Sequence, residues 1–375
     1  MSSNRPLDHE GLRRAFSYPR SSEGATTVLG EILLKEIAKN GPISFRDYMD
    51  KCLYHSEHGY YARPDQKTVS KEGDFITSVS VGPVFGKLLA QRLHHFWQSN
   101  GNPADFVIYE VGAHDGSLAK DVLTEITRIG GDFEKASRYR IIEPLAAQRQ
   151  KLQRIASQRL EVLAAPPATH SPHGALLANE VLDALPVPLF LHSADCWHEV
   201  IVTSEKGTLE WDTKPTEQAP GGSLSEGYVT EGAPDLTQFL QPLTQCFENG
   251  IMIFIDYGLD EESLYHPDRN IGTLRCFREQ STKSHPLELP GKQDLTADVN
   301  FTVVEKVATA LGLRPCPVMD QSRYLTHSAK GWLTSQTPPT PAELRQFQTL
   351  IHPSQFGMRF YAIELLKGEV DQAFP

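Results

Sequence analysis

The chain has 375 residues, 39% of them hydrophobic, so it can bury a large core and exceeds the usual size of one compact domain. Its formal net charge of −11, from 36 Lys and Arg against 47 Asp and Glu, gives no general attraction to phosphate backbones, so we expect no nucleic-acid partner. No apolar run approaches the roughly 20 residues that cross a bilayer, so we also expect no membrane partner.

Cysteines and histidines suggest neither a disulfide framework nor a metal site. The five cysteines are widely spaced without a CxxC pair, and the histidines are scattered. Asp8, Glu10 and Glu23 in the leader argue against an organelle transit peptide. We therefore expect a cytoplasmic location rather than the mitochondrial matrix.

The first hundred residues are predicted to be largely helical. Residues 25–39 carry apolar side chains at helical spacing behind Thr26 or Thr27, Ser44 starts a second helix, and residues 84–97 form a third. A long polar loop lies between the second and third helices. We therefore assign residues 1–103 to an N-terminal helical portion.

From residue 106 onward, strands and helices alternate, which predicts an α/β fold with a parallel sheet covered on both faces. The predicted elements are strand Phe106–Val111, helix Ser117–Ile129, strand Tyr139–Ile142, helix Pro144–Ala156 and strand Ala175–Ala178, then helix Leu236–Phe247, a buried strand at 251–255, helix 302–311 and strand Phe360–Leu366. An antiparallel hairpin at 197–211 and a mostly loop-like stretch at 258–300 interrupt this pattern. We assign residues 104–375 to one domain with insertions at about 189–230 and 258–300.

A glycine turn follows the first strand of this domain, in the run from Glu110 through Gly112 and His114 to Gly116. Open α/β sheets bind ligands where such a strand gives way to a helix. A dinucleotide site would need glycine where His114 stands, so a nicotinamide enzyme is disfavoured. An acid before the first glycine suits an ammonium group, such as the methionine end of S-adenosylmethionine. The alternative is a glycine turn that serves only helix packing.

An acid also ends the second strand, at Glu143, where a carboxylate can accept hydrogen bonds from both hydroxyls of a ribose. The alternative is a helix-start acid before Pro144. Together the two strand ends favour an adenosine ligand.

The third strand is followed by Asn179, Glu180 and Asp183. Two acids three residues apart, with an amide, could hold a cationic acceptor beside a methyl donor. Asn179 and Asp183 could instead cap a turn, and for Asp183 both interpretations stay open. Asp256, after the buried strand, either borders the same pocket or serves a turn.

Taken in chain order, these motifs resemble the MidA family of S-adenosylmethionine-dependent methyltransferases, which includes a mitochondrial arginine methyltransferase that assists assembly of respiratory complex I. The resemblance covers most of the chain. Its further segments are Gly41-Pro42-Ile43-Ser44-Phe45, Tyr54-His55, His58-Gly59-Tyr60-Tyr61, Gly73-Asp74-Phe75-Ile76-Thr77-Ser78, Phe85-Gly86, Asp183-Ala184-Leu185-Pro186, Ile255-Asp256-Tyr257-Gly258, Thr273-Leu274-Arg275 and Gln293-Asp294-Leu295-Thr296-Ala297.

What the resemblance implies is a Rossmann-like class I methyltransferase core, S-adenosylmethionine as cofactor and a protein side chain as acceptor. Cofactor contacts are implied for a covering loop and for the strand ends, namely Gly73, Asp74, Thr77, Ser78, Glu110, Gly112, Glu143 and Asn179. The implied catalytic residues are Glu180, which would meet an acceptor guanidinium, and Asp183, which would support the loop. A homodimer is left open.

The chain departs from the family pattern at three places, of which Val79-Ser80 and His114 motivate a second hypothesis. The family usually has Pro-Glu where Val79-Ser80 stands, a second glycine at His114, and Ala-His-Val-Asp where Ala297-Asp298-Val299-Asn300 stands. Losing a carboxylate next to Ser78 puts arginine specificity in question. The alternative function is a non-catalytic assembly factor or chaperone that retains the methyltransferase fold.

Overall fold

The computed structural model describes residues 10–16, 27–62, 77–220, 224–278, 285–334 and 337–372. The helices are α1 (Glu10–Ala15), α2 (Val28–Asn40), α3 (Phe45–Tyr54), α4 (Val84–Ser99), α5 (Ser117–Ile129), α6 (Gly131–Ala136), α7 (Ala146–Leu152), α8 (Leu236–Leu243), α9 (Glu261–Leu264), α10 (Phe301–Ala310), α11 (Gln321–Ser328), α12 (Lys330–Leu333) and α13 (Pro341–Ile351). Within the described ranges, no helix combines the length and apolar character needed to span a membrane.

Strands run through the same ranges. They are β1 (Ile43–Ser44), β2 (Phe106–Val111), β3 (Ser137–Ile142), β4 (Leu160–Leu163), β5 (Ser171–Asn179), β6 (Leu189–Ser193), β7 (Cys196–Glu205), β8 (Thr208–Pro215), β9 (Tyr228–Glu231), β10 (Phe247–Leu259), β11 (Arg275–Phe277), β12 (Asp294–Thr296), β13 (Val299–Asn300), β14 (Arg314–Pro315), β15 (Met319–Asp320) and β16 (Phe360–Lys367).

Residue contacts group the chain into two compact units. The core unit takes residues 67–182, 236–258 and 301–375, and the accessory unit takes residues 1–66, 183–235 and 259–300. Each unit has a hydrophobic core of its own. The domain boundary near residue 103, expected from the sequence, stays a prediction.

The core unit is built on a mixed sheet in the order β14-β16-β10-β5-β2-β3-β4. Strands β10, β5, β2, β3 and β4 are parallel, and β16 pairs with β10 in the antiparallel direction. Because helices cover such a sheet, its central strands are apolar on both faces, as in the buried run from Ile251 to Ile255. The predicted α/β class with a Rossmann-like core is confirmed.

The strand order reverses between β2 and β5. From β2 the chain adds β3 and β4 on one side, and it then returns to place β5 and β10 on the other. At such a switch point the loops leaving two neighbouring strands diverge and open a crevice at their carboxyl ends. The turn after β2 begins at Gly112 and the turn after β5 begins at Glu180, so both predicted motifs border this crevice.

The accessory unit combines helices with an antiparallel sheet in the order β1-β7-β6-β9, to which β8 adds beside β7. Its helices begin where the sequence predicts: Thr27 caps α2 by accepting the N–H of Gly30, and Ser44 caps α3 by accepting that of Asp47. A separate ribbon pairs β11 with β12. The predicted hairpin corresponds to β7 and β8.

Some predicted elements differ from the structure; the helix expected at Pro144–Ala156, for example, is limited to α7. The helix expected at Leu236–Phe247 ends at Leu243, because Phe247 already belongs to β10, where it pairs with Ser171 of β5. The stretch 258–300, expected to be mostly loop, contains α9, β11, β12 and β13. These elements are two to four residues long, too short to produce a periodic pattern.

Candidate active site at the strand ends of the core unit

The turn after β2 requires left-handed backbone at three positions. Gly112, His114 and Gly116 have φ values of 73°, 50° and 77°. A Cβ on Gly112 would lie 2.6 Å from Val181 Cγ2, so only glycine fits there without a shift. His114 adopts the left-handed conformation despite its side chain, which costs roughly 1 kcal/mol. His114 therefore adopts a conformation that glycine would adopt without strain.

Asp115 completes this turn by starting helix α5. Its Oδ1 accepts the N–H of Ser117 at 2.9 Å, one of the amides that the helix itself leaves without a partner. Burial disfavours the charged form, but hydrogen bonds from His114 and Ser117 outweigh it and lower the pKa of the Asp115 carboxyl. The turn therefore carries a stable negative charge beside Gly112.

Glu110, the last but one residue of β2, is a buried carboxyl group in the sheet. Its side chain is 2% exposed, and Oε2 accepts the hydroxyl of Tyr139 at 2.7 Å. Burial raises the pKa of Glu110 to about 7, although the Tyr139 hydrogen bond opposes this rise. Glu110 therefore changes charge near neutral pH and gains from a cationic neighbour.

Tyr139 was not singled out from the sequence. In the β2–β3 register it lies opposite Ile108, on the face of the sheet that also carries Glu110. Only this register shows that the phenol reaches Glu110, so the sequence signal is limited to a tyrosine in the neighbouring strand.

Glu143 follows β3 and serves the start of the next helical segment. Its Oε1 accepts the N–H of Leu145 at 2.8 Å, and its main-chain oxygen accepts from Arg149. Burial raises the pKa of the Glu143 carboxyl, while Leu145, Arg149 and His114 oppose the rise. The helix-start interpretation describes these contacts, and a ribose role stays a prediction.

The turn after β5 carries Asn179 and Glu180. The backbone of Glu180 is in the left-handed region, with φ 54°. Its Oε1 accepts the N–H of Ser78 at 3.3 Å and the side-chain N–H of Asn179 at 3.0 Å. Among the described residues, Asn179 Oδ1 is a buried atom with no hydrogen-bond partner. A buried acceptor of this kind calls for a ligand or water donor.

Thr77 and Ser78 precede β2 in the chain, and Ser78 contacts the turn after β5. Ser78 donates its backbone N–H to Glu180, and its hydroxyl donates to Gln321 Oε1 at 3.1 Å. Thr77 and Ser80 exchange hydrogen bonds, since the N–H of each is accepted by the hydroxyl of the other. Ser80, which replaces the family's glutamate, therefore closes the turn that presents Ser78.

Two predicted cofactor residues, Gly73 and Asp74, lie outside the described residues. Asp183 belongs to the accessory unit, where it is buried and its main-chain oxygen accepts the N–H of Ala297 at 2.9 Å. Its carboxylate raises the pKa of Tyr61 together with burial, the largest cause, and Asp294. Asp183 thus joins the segment after β5 to the one after β12.

The structure offers no metal site at these residues. Among the described parts of the chain, no group of three or more His, Cys, Asp or Glu side chains is placed to hold a metal ion.

Known proteins are similar to this chain in sequence and in fold. A family model described as "Putative S-adenosyl-L-methionine-dependent methyltransferase" matches residues 88–318. The Drosophila melanogaster protein arginine methyltransferase NDUFAF7 homolog is 27% identical, over 93% of this chain and 88% of its own length. The Rattus norvegicus protein arginine methyltransferase NDUFAF7 is 26% identical, over 94% and 88%.

A solved structure extends the comparison. A crystal structure of a Burkholderia thailandensis protein bound to S-adenosyl-homocysteine has a TM-score of 0.81 and 27% sequence identity. The match covers 99% of this chain and 97% of that one.

One expectation is corrected by these relatives. The fruit-fly, rat and human relatives are mitochondrial proteins, which contradicts the cytoplasmic location expected from the acidic leader. Scattered acids in a leader are a weak criterion because targeting depends on the amphipathic character of the whole segment.

The resemblance inferred from the ordered motifs is confirmed by the family model, which matches more than half of the chain. The chain belongs to this family of S-adenosyl-L-methionine-dependent methyltransferases.

Proposed function

We propose that this methyltransferase transfers the methyl group to a nitrogen of an arginine side chain in a protein. The mitochondrial relatives are protein arginine methyltransferases, which supports an arginine acceptor. The observation that carries the proposal is Glu180, a half-buried carboxylate at the switch point of the sheet, with Oε1 held by two N–H donors. A planar guanidinium is the cation that best matches a fixed carboxylate.

Residues around the glycine turn fit the cofactor. Gly112 presents exposed backbone at the end of β2, and Asn179 Oδ1 offers an unused acceptor within the described chain. S-Adenosylmethionine, when bound, supplies a methyl group already activated by its sulfonium. Glu110 would balance the ammonium of the methionine end, and Glu143 would accept from the ribose hydroxyls.

Glu180 would orient the guanidinium, stabilise its charge, and take up the proton that the nitrogen releases when it gains the methyl group. Asp183 would support the loop through the hydrogen bond that its main-chain oxygen accepts from Ala297. Methyl transfer itself needs no strong base, because the sulfonium already activates the methyl group.

The departures that motivated a non-catalytic assembly factor are compatible with an enzyme. His114 keeps φ at 50°, and Ser80 closes the turn that presents Ser78 to Glu180. His114 and Ser80 thus take part in ordered turns at the site, which supports the catalytic interpretation.

The test is methyl transfer from radiolabelled S-adenosylmethionine into mitochondrial protein, with the labelled residue identified by hydrolysis and mass spectrometry. Glu180→Gln should bind the cofactor with unchanged affinity in calorimetry, and its transfer rate should fall at least 10²-fold because the guanidinium loses its charged partner. Gly112→Val should lose both binding and transfer, because its side chain collides with Val181.

Glu161→Gln is the matched control, since Glu161 is an exposed glutamate on β4 that pairs with Arg140. It should behave like the wild type. Wild-type turnover by Glu180→Gln would reject the role of Glu180, and label on any residue other than arginine would reject arginine specificity.

A further inference from the structure

Asp256 ends the central part of β10 with a carboxylate that reaches the neighbouring turn. It is 1% exposed, and its Oδ2 accepts the N–H of Val181 at 3.0 Å and that of Leu182 at 2.8 Å. Its Oδ1 accepts the N–H of Tyr257 at 3.0 Å. A turn aspartate would be expected to bond within its own loop, whereas two of these three donors belong to the segment after β5.

The two donors are consecutive and directly follow Glu180. Successive N–H groups next to a left-handed residue converge into a concave anion site, and here the anion is the side chain of Asp256. The parallel register supports the same placement, because Ile255 pairs with Asn179 and the N–H of Glu180 donates to Ile255 O at 2.9 Å. β10 thus holds the backbone of residues 180–182 at three successive N–H groups.

This anchoring matters because Glu180 has an uncommon backbone conformation. A glutamate keeps a φ of 54° only where several surrounding interactions hold its backbone in that conformation. With Asp256 removed, the N–H groups of Val181 and Leu182 would lose their acceptor in a buried place, and the turn could relax toward an ordinary conformation. The Glu180 carboxylate would then move relative to Ser78 and Asn179.

The same turn also contacts the glycine turn after β2. The side chain of Val181 packs over Gly112, with Cγ2 only 2.6 Å from where a Cβ on that residue would lie. A fixed Val181 backbone therefore holds Glu180, on the proposed acceptor side, and the contact with Gly112, on the proposed cofactor side, in place together.

We propose that Asp256 is a positioning residue for methyl transfer, which holds the turn 180–182 so that Glu180 and the Gly112 backbone keep one relative placement. The inference rests on the proposed role of Glu180, and it gives Asp256 a task beyond an ordinary turn. Asp256 acts on the reacting groups through the backbone of Val181 and Leu182.

The test compares Asp256→Asn, Asp256→Ala and the control Asp260→Asn in the full-length protein. An asparagine oxygen can still accept from Val181 and Leu182, whereas alanine cannot. Asp260 also accepts a backbone N–H, that of Ser263 at 2.7 Å, but it lies on the surface at the start of α9. The measurements are hydrogen exchange of individual amides, calorimetric binding of S-adenosyl-homocysteine, and kcat and KM for the arginine acceptor.

We expect Asp256→Ala to lose protection at the Val181 and Leu182 amides and to lower kcat about 10²-fold, the usual effect of a displacement near 1 Å, with a smaller change in cofactor affinity. Asp256→Asn should restore protection and recover kcat to within about tenfold of the wild type. Asp260→Asn should match the wild type. If Asp256→Ala does not fold, Asp256→Asn decides, because its one oxygen cannot replace both carboxylate oxygens: a kcat below that of Asp260→Asn supports the positioning role, and a kcat equal to it overturns that role.

Unchanged protection of both amides in Asp256→Asn and Asp256→Ala, or a wild-type kcat despite lost protection, would overturn the positioning role. Hydrogen exchange in the S-adenosyl-homocysteine complex needs no acceptor. If the wild type does not methylate arginine but Asp256→Ala loses protection at Val181 and Leu182 and shifts cofactor affinity, the arginine proposal fails and the anchoring of the turn stands.

Discussion

Replacing Glu110 with glutamine should stabilise the free protein at alkaline pH and weaken its hold on the cofactor. The pKa of Glu110 is raised from 4.5 to about 7, mainly by burial, so the folded protein binds this proton more tightly than the unfolded chain does. The contribution of Glu110 to stability is therefore greatest below pH 4.5 and falls as the pH rises through 7.

The size of this effect follows from the difference between the two pKa values. A difference of about 2.5 units corresponds to about 3 kcal/mol of destabilisation above pH 7, at 1.36 kcal/mol per unit. Glutamine carries no charge and can still accept the Tyr139 hydroxyl. The free energy of unfolding of Glu110→Gln should thus equal that of the wild type near pH 4.5 and exceed it by about 3 kcal/mol at pH 8.

The assay is urea unfolding of both proteins between pH 4.5 and 8, with Tyr139→Phe as a control. Because the Tyr139 hydrogen bond lowers the pKa of Glu110, that control should move the pH-dependent loss of stability to higher pH. Cofactor affinity should depend on pH in the opposite direction, weakening as the pH falls. An ionised Glu110 is needed to meet the ammonium, so the wild-type Kd should weaken about eightfold from pH 7.5 to 6, and the Glu110→Gln Kd should not.

Two results would refute this reasoning. One is a variant no more stable than the wild type at pH 8, which would mean that Glu110 has no raised pKa in the folded protein. The other is a wild-type Kd independent of pH together with a stabilised variant, which would separate the titration of Glu110 from cofactor binding.

Two further predictions concern stability alone. His114→Gly should raise the free energy of unfolding by up to about 1 kcal/mol in urea, because glycine adopts φ 50° without strain, and a loss of stability would show that the imidazole contact with Asp115 outweighs the strain. Glu364→Gln should lower it by about 3 kcal/mol or more, because the buried Arg92 guanidinium loses the charge that it meets at 2.7 and 2.9 Å, and a change below 1 kcal/mol would contradict a desolvated pair.

Local sequence patterns predicted the elements that carry the site. The bounds of β2 and α5 match the predictions Phe106–Val111 and Ser117–Ile129, since an apolar run, a glycine turn and an amphipathic stretch follow one another without ambiguity. Helix α13 was missed although Thr340, Pro341 and Glu343 form a capping box with proline at the first helical position. The sequence therefore contains a helix-start signal for α13.

Long-range pairing in the site could not be predicted in the same way. Strand ends were enough to identify Glu110, Glu143 and Glu180 as candidates, because the carboxyl ends of parallel strands meet at one edge. The partners of these groups depend on strand order and register. The hydrogen bond from Tyr139 to Glu110 follows from the pairing of β2 with β3. The hydrogen bond from the turn after β5 to Asp256 follows from the pairing of β10 with β5.

The place of β16 in the sheet has a consequence for how the protein is made. β16 pairs along β10 through eight residues, from Gly250 with Lys367 to Tyr257 with Phe360, although residues 260–359 separate the two strands in sequence. While the ribosome is still adding those residues, one side of β10 has no antiparallel neighbour, and an apolar strand edge is a template for pairing with other nascent chains. The sheet can be completed only after β16 has been synthesised, so β10 keeps an open edge while residues 260–359 are added.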